Sequence, residues 1–200
     1  MLVPHFYEDL NVMHDKTMPA RTYYIPASVR MNDLVEHRER SDRFQLLNGE
    51  WKFQYYNSIY DVTESFYEKG YDVSGFDQVT VPGVWQMDGY DTHQYTNIRY
   101  PFPFDPPYVP QDIPCGAYVH NFEYHREKKA SKAFLNFEGV DSCFYVWVNG
   151  AYAGYSQVPH ATSEFDVTDL LNEGENTLAV LVLKWCDGSY LEDQDKFRMS

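Results

Sequence analysis

Cys143-Phe144-Tyr145-Val146-Trp147-Val148-Asn149-Gly150-Ala151-Tyr152-Ala153-Gly154-Tyr155 is the stretch that decides how this chain folds. The run Cys143 to Val148 is apolar on both faces, as a strand inside a core must be. Asn149-Gly150 follows it, and these two residue types tolerate the positive φ that a primed two-residue turn demands. The stretch therefore predicts a tight β-hairpin rather than a helix.

The same grammar extends outward in both directions. Glu175 to Trp185 is β-rich, apolar on both faces and preceded by the turn Asn172-Glu173-Gly174, which predicts a central strand. Tyr118 to Tyr124 alternates in the two-residue rhythm of a strand, and Val79 to Val81 is a short β run ended by Pro82-Gly83. Trp51, Phe53 and Tyr55 share one face of a strand that starts after Asn48-Gly49. Helical patterning is confined to Asn32 to Arg40, where Asn32 and Asp33 offer caps, and to Val62 to Tyr67. The expected class is all-β with a sandwich architecture, residues 43–200 forming the sandwich and residues 1–42 an irregular leader that wraps its core.

Composition narrows the function. The 200 residues are 44% apolar and 18% aromatic, too hydrophobic for disorder. Thirty acidic against 16 basic residues give a net charge of -14, which repels a phosphate backbone and argues against nucleic acid as a partner. The longest apolar run, Leu178 to Leu183, is far short of the roughly 20 residues of a membrane-spanning helix. Met1 to Leu10 shows neither the basic start nor the apolar centre of a secretory signal, and Cys115, Cys143 and Cys186 match no metal-finger spacing. Free thiols in a reducing cytoplasm are expected.

Met87 to Gly116 does not fit a strand. Pro101, Pro103, Pro106, Pro107, Pro110 and Pro114 remove backbone donors, while Tyr90, Tyr95, Tyr100, Phe102, Phe104 and Tyr108 supply apolar surface that a disordered linker would not carry. An ordered, extended, functional loop is expected. Two segments combine aromatic faces with carboxylates and amides, the pairing that suits a sugar ring: Trp85 to Asn97, and Trp185 to Asp195. In the second, Asp187, Glu192, Asp193 and Asp195 repel one another unless donors, cations or a ligand compensate, although a solvated acidic turn would show the same pattern. Asn97 could equally hold its own loop turn, and Asp195 could pair with Arg198. Trp51 and Trp147 read as core, whereas Trp85 and Trp185 could be buried beneath a loop or stack on a ligand.

These segments carry a resemblance. Trp85-Gln86, Gly89-Tyr90-Asp91, Tyr95-Thr96-Asn97, Tyr100-Pro101-Phe102-Pro103 and Asp105-Pro106-Pro107 follow one another in the first half. Phe137-Glu138-Gly139-Val140-Asp141-Ser142, Val146-Trp147-Val148-Asn149-Gly150, Gly154-Tyr155-Ser156-Gln157 and Ser163-Glu164-Phe165-Asp166 come next, closed by Asp187-Gly188-Ser189-Tyr190-Leu191-Glu192-Asp193-Gln194-Asp195. From about Phe44 onward this order resembles bacterial β-galactosidases of glycoside hydrolase family 2. The sequence departs from the family pattern at His93, His160 and Lys196-Phe197.

The resemblance implies a galactose-binding-like jelly roll, the amino-terminal sugar-binding domain of a retaining hydrolase of terminal β-D-galactosides such as lactose. Its last strand would be truncated here, and the two catalytic glutamates would lie in a downstream TIM barrel, so no catalytic residue is assigned and the piece alone is expected to be inactive. Asn97 and Asp195 would hydrogen-bond galactosyl hydroxyls, and Asp195 would also ligate a sodium ion, a hard cation suited to carboxylate oxygen. Gln157 and Asp187 would contribute to a peripheral magnesium site near the leader. The implied partners are galactosides, the remaining domains of the same enzyme and further copies in a homo-oligomer. The alternative is a free-standing, lectin-like carbohydrate-binding module without hydrolase activity.

Overall fold

The computed structural model describes residues 2–93, 101–127 and 129–192. Its sheets are antiparallel throughout, and its helical segments among the described residues are short 3-10 turns. The decisive hairpin is present: β6 (Cys143–Val148) and β7 (Ala151–Gln157) are joined by Asn149 at φ 54 and Gly150 at φ 84, with Val148 opposite Ala151. Asn149 does more than turn the chain. Its side-chain amide donates to Leu170 O at 2.8 Å and to Asn176 Oδ1 at 2.7 Å, and its Oδ1 accepts Thr177 N at 3.0 Å, so the hairpin tip is fastened to the entrance of β9 (Gly174–Leu183).

Seven strands form one sheet in the order β1-β7-β6-β9-β4-β2-β3, where β1 is His14–Asp15, β2 Gly49–Tyr56, β3 Asp77–Val81 and β4 Cys115–Tyr124. A second layer pairs β5 (Phe134–Phe137) with β8 (Ser163–Asp166). The central strands are apolar on both faces because both faces are covered. Tyr145, Trp147, Ala179 and Leu181 point to one core, shared with Tyr7, Ile59 and Phe66. Phe144, Val146, Val180 and Val182 point to the other, shared with Phe165 and Val167 from the second layer. This is the all-β sandwich expected from the sequence, with β9 central as predicted.

The leader is less irregular than its composition suggests. His14–Asp15 adds a strand to the open edge of β7, with His14 opposite Ser156 and Asp15 opposite Tyr155. Close approach there requires Gly154 in β7, where a Cβ would stand 2.5 Å from Asp15 O and 2.7 Å from the Phe165 ring. The helix expected over Asn32 to Arg40 does not form. His37 N donates to Asp33 O and a single 3-10 turn covers Arg38–Arg40, while Val35 is 88% exposed, so the segment has caps and charges but no apolar face to dock. Val62 to Tyr67 is likewise a succession of turns, with Val62 and Phe66 buried. The loop expected over Met87 to Gly116 ends at Pro114, because Cys115 and Gly116 already pair with β2 and β9.

Candidate functional site

At one end of the sandwich, the loop that follows β3 and the turn that follows β9 meet. The turn is a 3-10 segment, Asp187–Leu191, begun by Cys186, whose N–H donates to Ser189 Oγ at 3.1 Å. Tyr190, 3% exposed, donates its hydroxyl to Tyr108 O at 2.5 Å and accepts Asp105 N at 3.2 Å, which fastens the proline-rich loop onto this turn. Phe102 adds edge-on contacts to Trp185 and Tyr190 at centroid distances of 5.1 and 5.4 Å. On the other arm of the loop, Asp91 accepts from Lys184 Nζ at 2.5 Å. The described parts of the loop are therefore ordered against β9 and its turn, as the interleaved aromatics require.

Asn97 and Asp195 lie outside the described residues. Their flanks do not: Asn97 falls between Asp91 and Phe102, both held by the stretch Lys184 to Tyr190 that leads towards Asp195. Glu192 closes that turn as an exposed residue, its N–H donating to Ser189 O at 3.3 Å. The two tryptophans separate. Trp85 is buried at 6% exposure against Phe53 and Tyr55, a core position, whereas Trp185 is only partly buried, with the Lys184 amine 5.1 Å from its ring centroid.

Gln157 and Asp187 are brought together beneath the turn, at 7% and 6% exposure. Desolvation raises the Asp187 carboxyl above its usual value, and hydrogen bonds from Gln157 and the Gly188 N–H work against that rise. The charge of Asp9 in the leader acts in the same direction as desolvation. Asp187 Oδ1 is buried with no hydrogen-bond partner, a costly state for a carboxylate oxygen. Gln157 Oε1 accepts the Tyr155 hydroxyl at 2.8 Å, so the amide itself is held from behind. The Gln157 amide thus turns its nitrogen to Asp187 and its oxygen to Tyr155, which leaves Asp187 Oδ1 as the atom that a hard cation would satisfy. Among the described residues no three His, Cys, Asp or Glu side chains gather in metal-binding geometry.

Residues 44–200 match the family described as glycosyl hydrolases family 2, sugar binding domain. This chain belongs to that family. It is 50% identical over its whole length to the β-galactosidase of Actinobacillus pleuropneumoniae and 47% identical over its whole length to that of Staphylococcus xylosus. It spans 19% and 20% of those two proteins, about a fifth of the curated relatives it matches. Among solved structures, the β-glucuronidase from Ruminococcus gnavus in complex with D-glucuronic acid superimposes with a TM-score of 0.52 at 18% identity, over 70% of this chain and 21% of that one. That likeness is one of fold.

Three features of this end of the domain had no signal in the residue pattern. The Lys184–Asp91 pair joins positions remote in sequence, Tyr155 behind Gln157 reads as one more core aromatic, and Asp9 sits in a leader without periodicity. The described part of the family 2 domain contains no helix long and apolar enough to cross a membrane.

Proposed function

We propose that this chain is the amino-terminal sugar-binding domain of a β-galactosidase, an enzyme that hydrolyses terminal β-D-galactosides by a retaining mechanism. The observation that carries the reading is identity of 47–50% across the entire chain with two proteins named β-galactosidase, of which it spans about a fifth. In this reading the sandwich forms one wall of the sugar site and the chemistry is done elsewhere in the enzyme. A retaining mechanism needs two carboxyl groups about 5–5.5 Å apart on rigid supports. Asn97 and Asp195 supply an amide and a carboxylate to galactosyl hydroxyls, and Asp195 shares a sodium ion with ligands from the rest of the enzyme. Gln157 and Asp187 would contribute to a peripheral magnesium site near the leader, where a hard cation would satisfy the orphaned Asp187 Oδ1. The leader, residues 1–42, belongs to the same folded unit, and the enzyme works as a homo-oligomer in the cytoplasm, a compartment in keeping with three buried free thiols.

The test is kinetic. The full-length enzyme should hydrolyse o-nitrophenyl β-galactoside while the purified 200-residue chain does not. Asp195→Asn should lower kcat/KM about ten- to a hundredfold, the worth of one charged hydrogen bond, and blunt the response to sodium. Turnover by the 200-residue chain alone, or an Asp195→Asn enzyme with unchanged kcat/KM and sodium response, would sink the reading.

A further inference from the structure

Away from the turn that follows β9, an open pocket of about 470 Å³ lies between the leader and the chain that leaves β4. Ser28, Asp42 and Arg43 line it from one side, and Arg126, Glu127 and Lys129 from the other. A chain with 16 basic residues and a net charge of -14 thus places three cations around one cavity. Both walls are fixed. The buried Ser41 donates its hydroxyl to Pro26 O and accepts Arg43 N at 3.1 Å, which sets the leader turn. Arg126 donates its N–H to Glu173 Oε2 at 3.0 Å and its Nη2 to Thr168 O at 2.6 Å, and Ala130 N closes the next turn on Glu127 O at 2.9 Å.

The cations are short of partners. The Arg43 side chain is only 17% exposed, and its Nη1 is buried without a hydrogen-bond partner. Asp42, the carboxylate that approaches it, stands 4.0 Å from Nε with both oxygens already taken by the Ser28 N–H and hydroxyl. Among the described residues neither the Arg126 guanidinium nor the Lys129 amine meets a carboxylate in an ion pair. Arg126 and Lys129 are exposed and hydrated, whereas Arg43 is withdrawn from water, so its charge is costly until an anion answers it. The anion need not touch the shielded nitrogen to do so. A monocarboxylate would balance one cation of the three. A phosphoryl group brings about two charges and three acceptor oxygens, a set that suits two guanidinium forks and an amine. Glu127, exposed at the rim, opposes it and keeps the site selective for a small anion. We propose that this pocket binds a phosphoryl anion, as inorganic phosphate or a small phosphate monoester, which bridges the leader to the core through Arg43, Arg126 and Lys129.

The experiment titrates the full-length enzyme with inorganic phosphate and, separately, with glycerol 3-phosphate, at an ionic strength held constant with sodium chloride. Binding is read by calorimetry and by the melting temperature. Saturable binding and a melting temperature that climbs with ligand are expected, and the tighter of the two ligands identifies the source of the phosphoryl group. Lys129→Glu reverses a charge on an exposed side chain and should weaken binding at least about tenfold, the worth of one charged hydrogen bond. Arg43→Met should do the same from the leader side. Glu127→Gln removes a repelling carboxylate and should tighten binding by up to about fivefold. Because the anion joins leader to core, phosphate should also slow proteolytic cutting of the leader in the wild type and not in Lys129→Glu.

No saturable binding, or a response that sodium chloride alone reproduces, would overturn the proposal, and a carboxylate from the rest of the enzyme filling the pocket would give that result. Equal affinity in the wild type, Arg43→Met and Lys129→Glu would overturn it as well, by placing the anion elsewhere. If Arg43→Met does not fold, Lys129→Glu and Glu127→Gln decide through their opposite signs. None of these readouts uses galactoside turnover, so failure here leaves the sugar-site reading standing, and an indifferent Asp195→Asn leaves this pocket untouched.

Discussion

Arg21 grips Glu164 through two nitrogens of its guanidinium, Nε at 2.9 Å from Oε1 and Nη2 at 2.5 Å from Oε2. The contact joins the leader to β8 and reaches a carboxylate only 10% exposed. Removing Arg21 would leave that carboxylate buried without its cation. Arg21 itself is 41% exposed and solvent screens part of the loss. Arg21→Ala should therefore destabilise by about 1–2 kcal/mol, and limited proteolysis should cut the leader sooner than in the wild type. Unchanged cleavage kinetics would show that the leader is held elsewhere.

Gly154 is the tightest crossing of leader and sheet. At φ +155, with Asp15 O and the Phe165 ring inside 3 Å of where an alanine methyl would stand, Gly154→Ala has no rotamer by which to escape. A cost of about 3 kcal/mol or more is expected, because β1 or the Phe165 ring must move. Thermal unfolding of the variant measures it. Gly70→Ala, also at positive φ but with nothing within 4 Å, should cost only the backbone penalty of about 1 kcal/mol.

Asp166 links charge to stability at low pH. Hydrogen bonds from Lys132 and Thr168 hold its carboxyl down to about 2, against an ordinary 3.8. A folded-state value below the unfolded one contributes stability above pH 3.8, and that contribution disappears as pH falls from there through about 2. Lys132 is 57% exposed, so screening limits the effect to roughly 1 kcal/mol. Asp166→Asn should lower the melting temperature at pH 7 and leave it nearly unchanged at pH 2. An equal loss at both values would mean that packing, not ionisation, is at stake.

Magnesium should raise the melting temperature of the full-length enzyme. An ion in hundredfold excess over its dissociation constant adds about 2.7 kcal/mol to a state that alone binds it. Asp187→Asn should abolish most of that increment. Because ionising Asp187 is opposed first by desolvation, the variant in chelator should be at least as stable as the wild type at neutral pH. An unaltered magnesium response in Asp187→Asn would remove this residue from the site.

The strands were legible because burial on two faces leaves a plain signature: β6 and β9 are apolar throughout, and Asn149-Gly150 fits only one kind of turn. The leader was not, since a two-residue strand such as His14–Asp15 has no period to detect and is specified by the β7 edge it meets. Caps at Asn32 and Asp33 misled for a related reason, as capping residues mark the start of a helix only where an apolar stripe follows. Within the site, residue chemistry pointed to two segments, whose described parts meet through Lys184 and Asp91 and through Phe102 and Tyr190. The named roles of Asn97 and Asp195 came from resemblance, and Lys184–Asp91 was invisible because nothing in either segment announces its partner.

The two-sided burial of β6 and β9 also sets a clock. Their amides are shielded by neighbouring strands and by a layer on each face, so their hydrogens should exchange with deuterium only when the whole domain unfolds. The outer ladders of β1 and β3 can open alone and should lose protection far earlier. Motion in this molecule thus begins at the rims and dies out towards the middle, which makes the central pair a fixed reference against which any loop can shift.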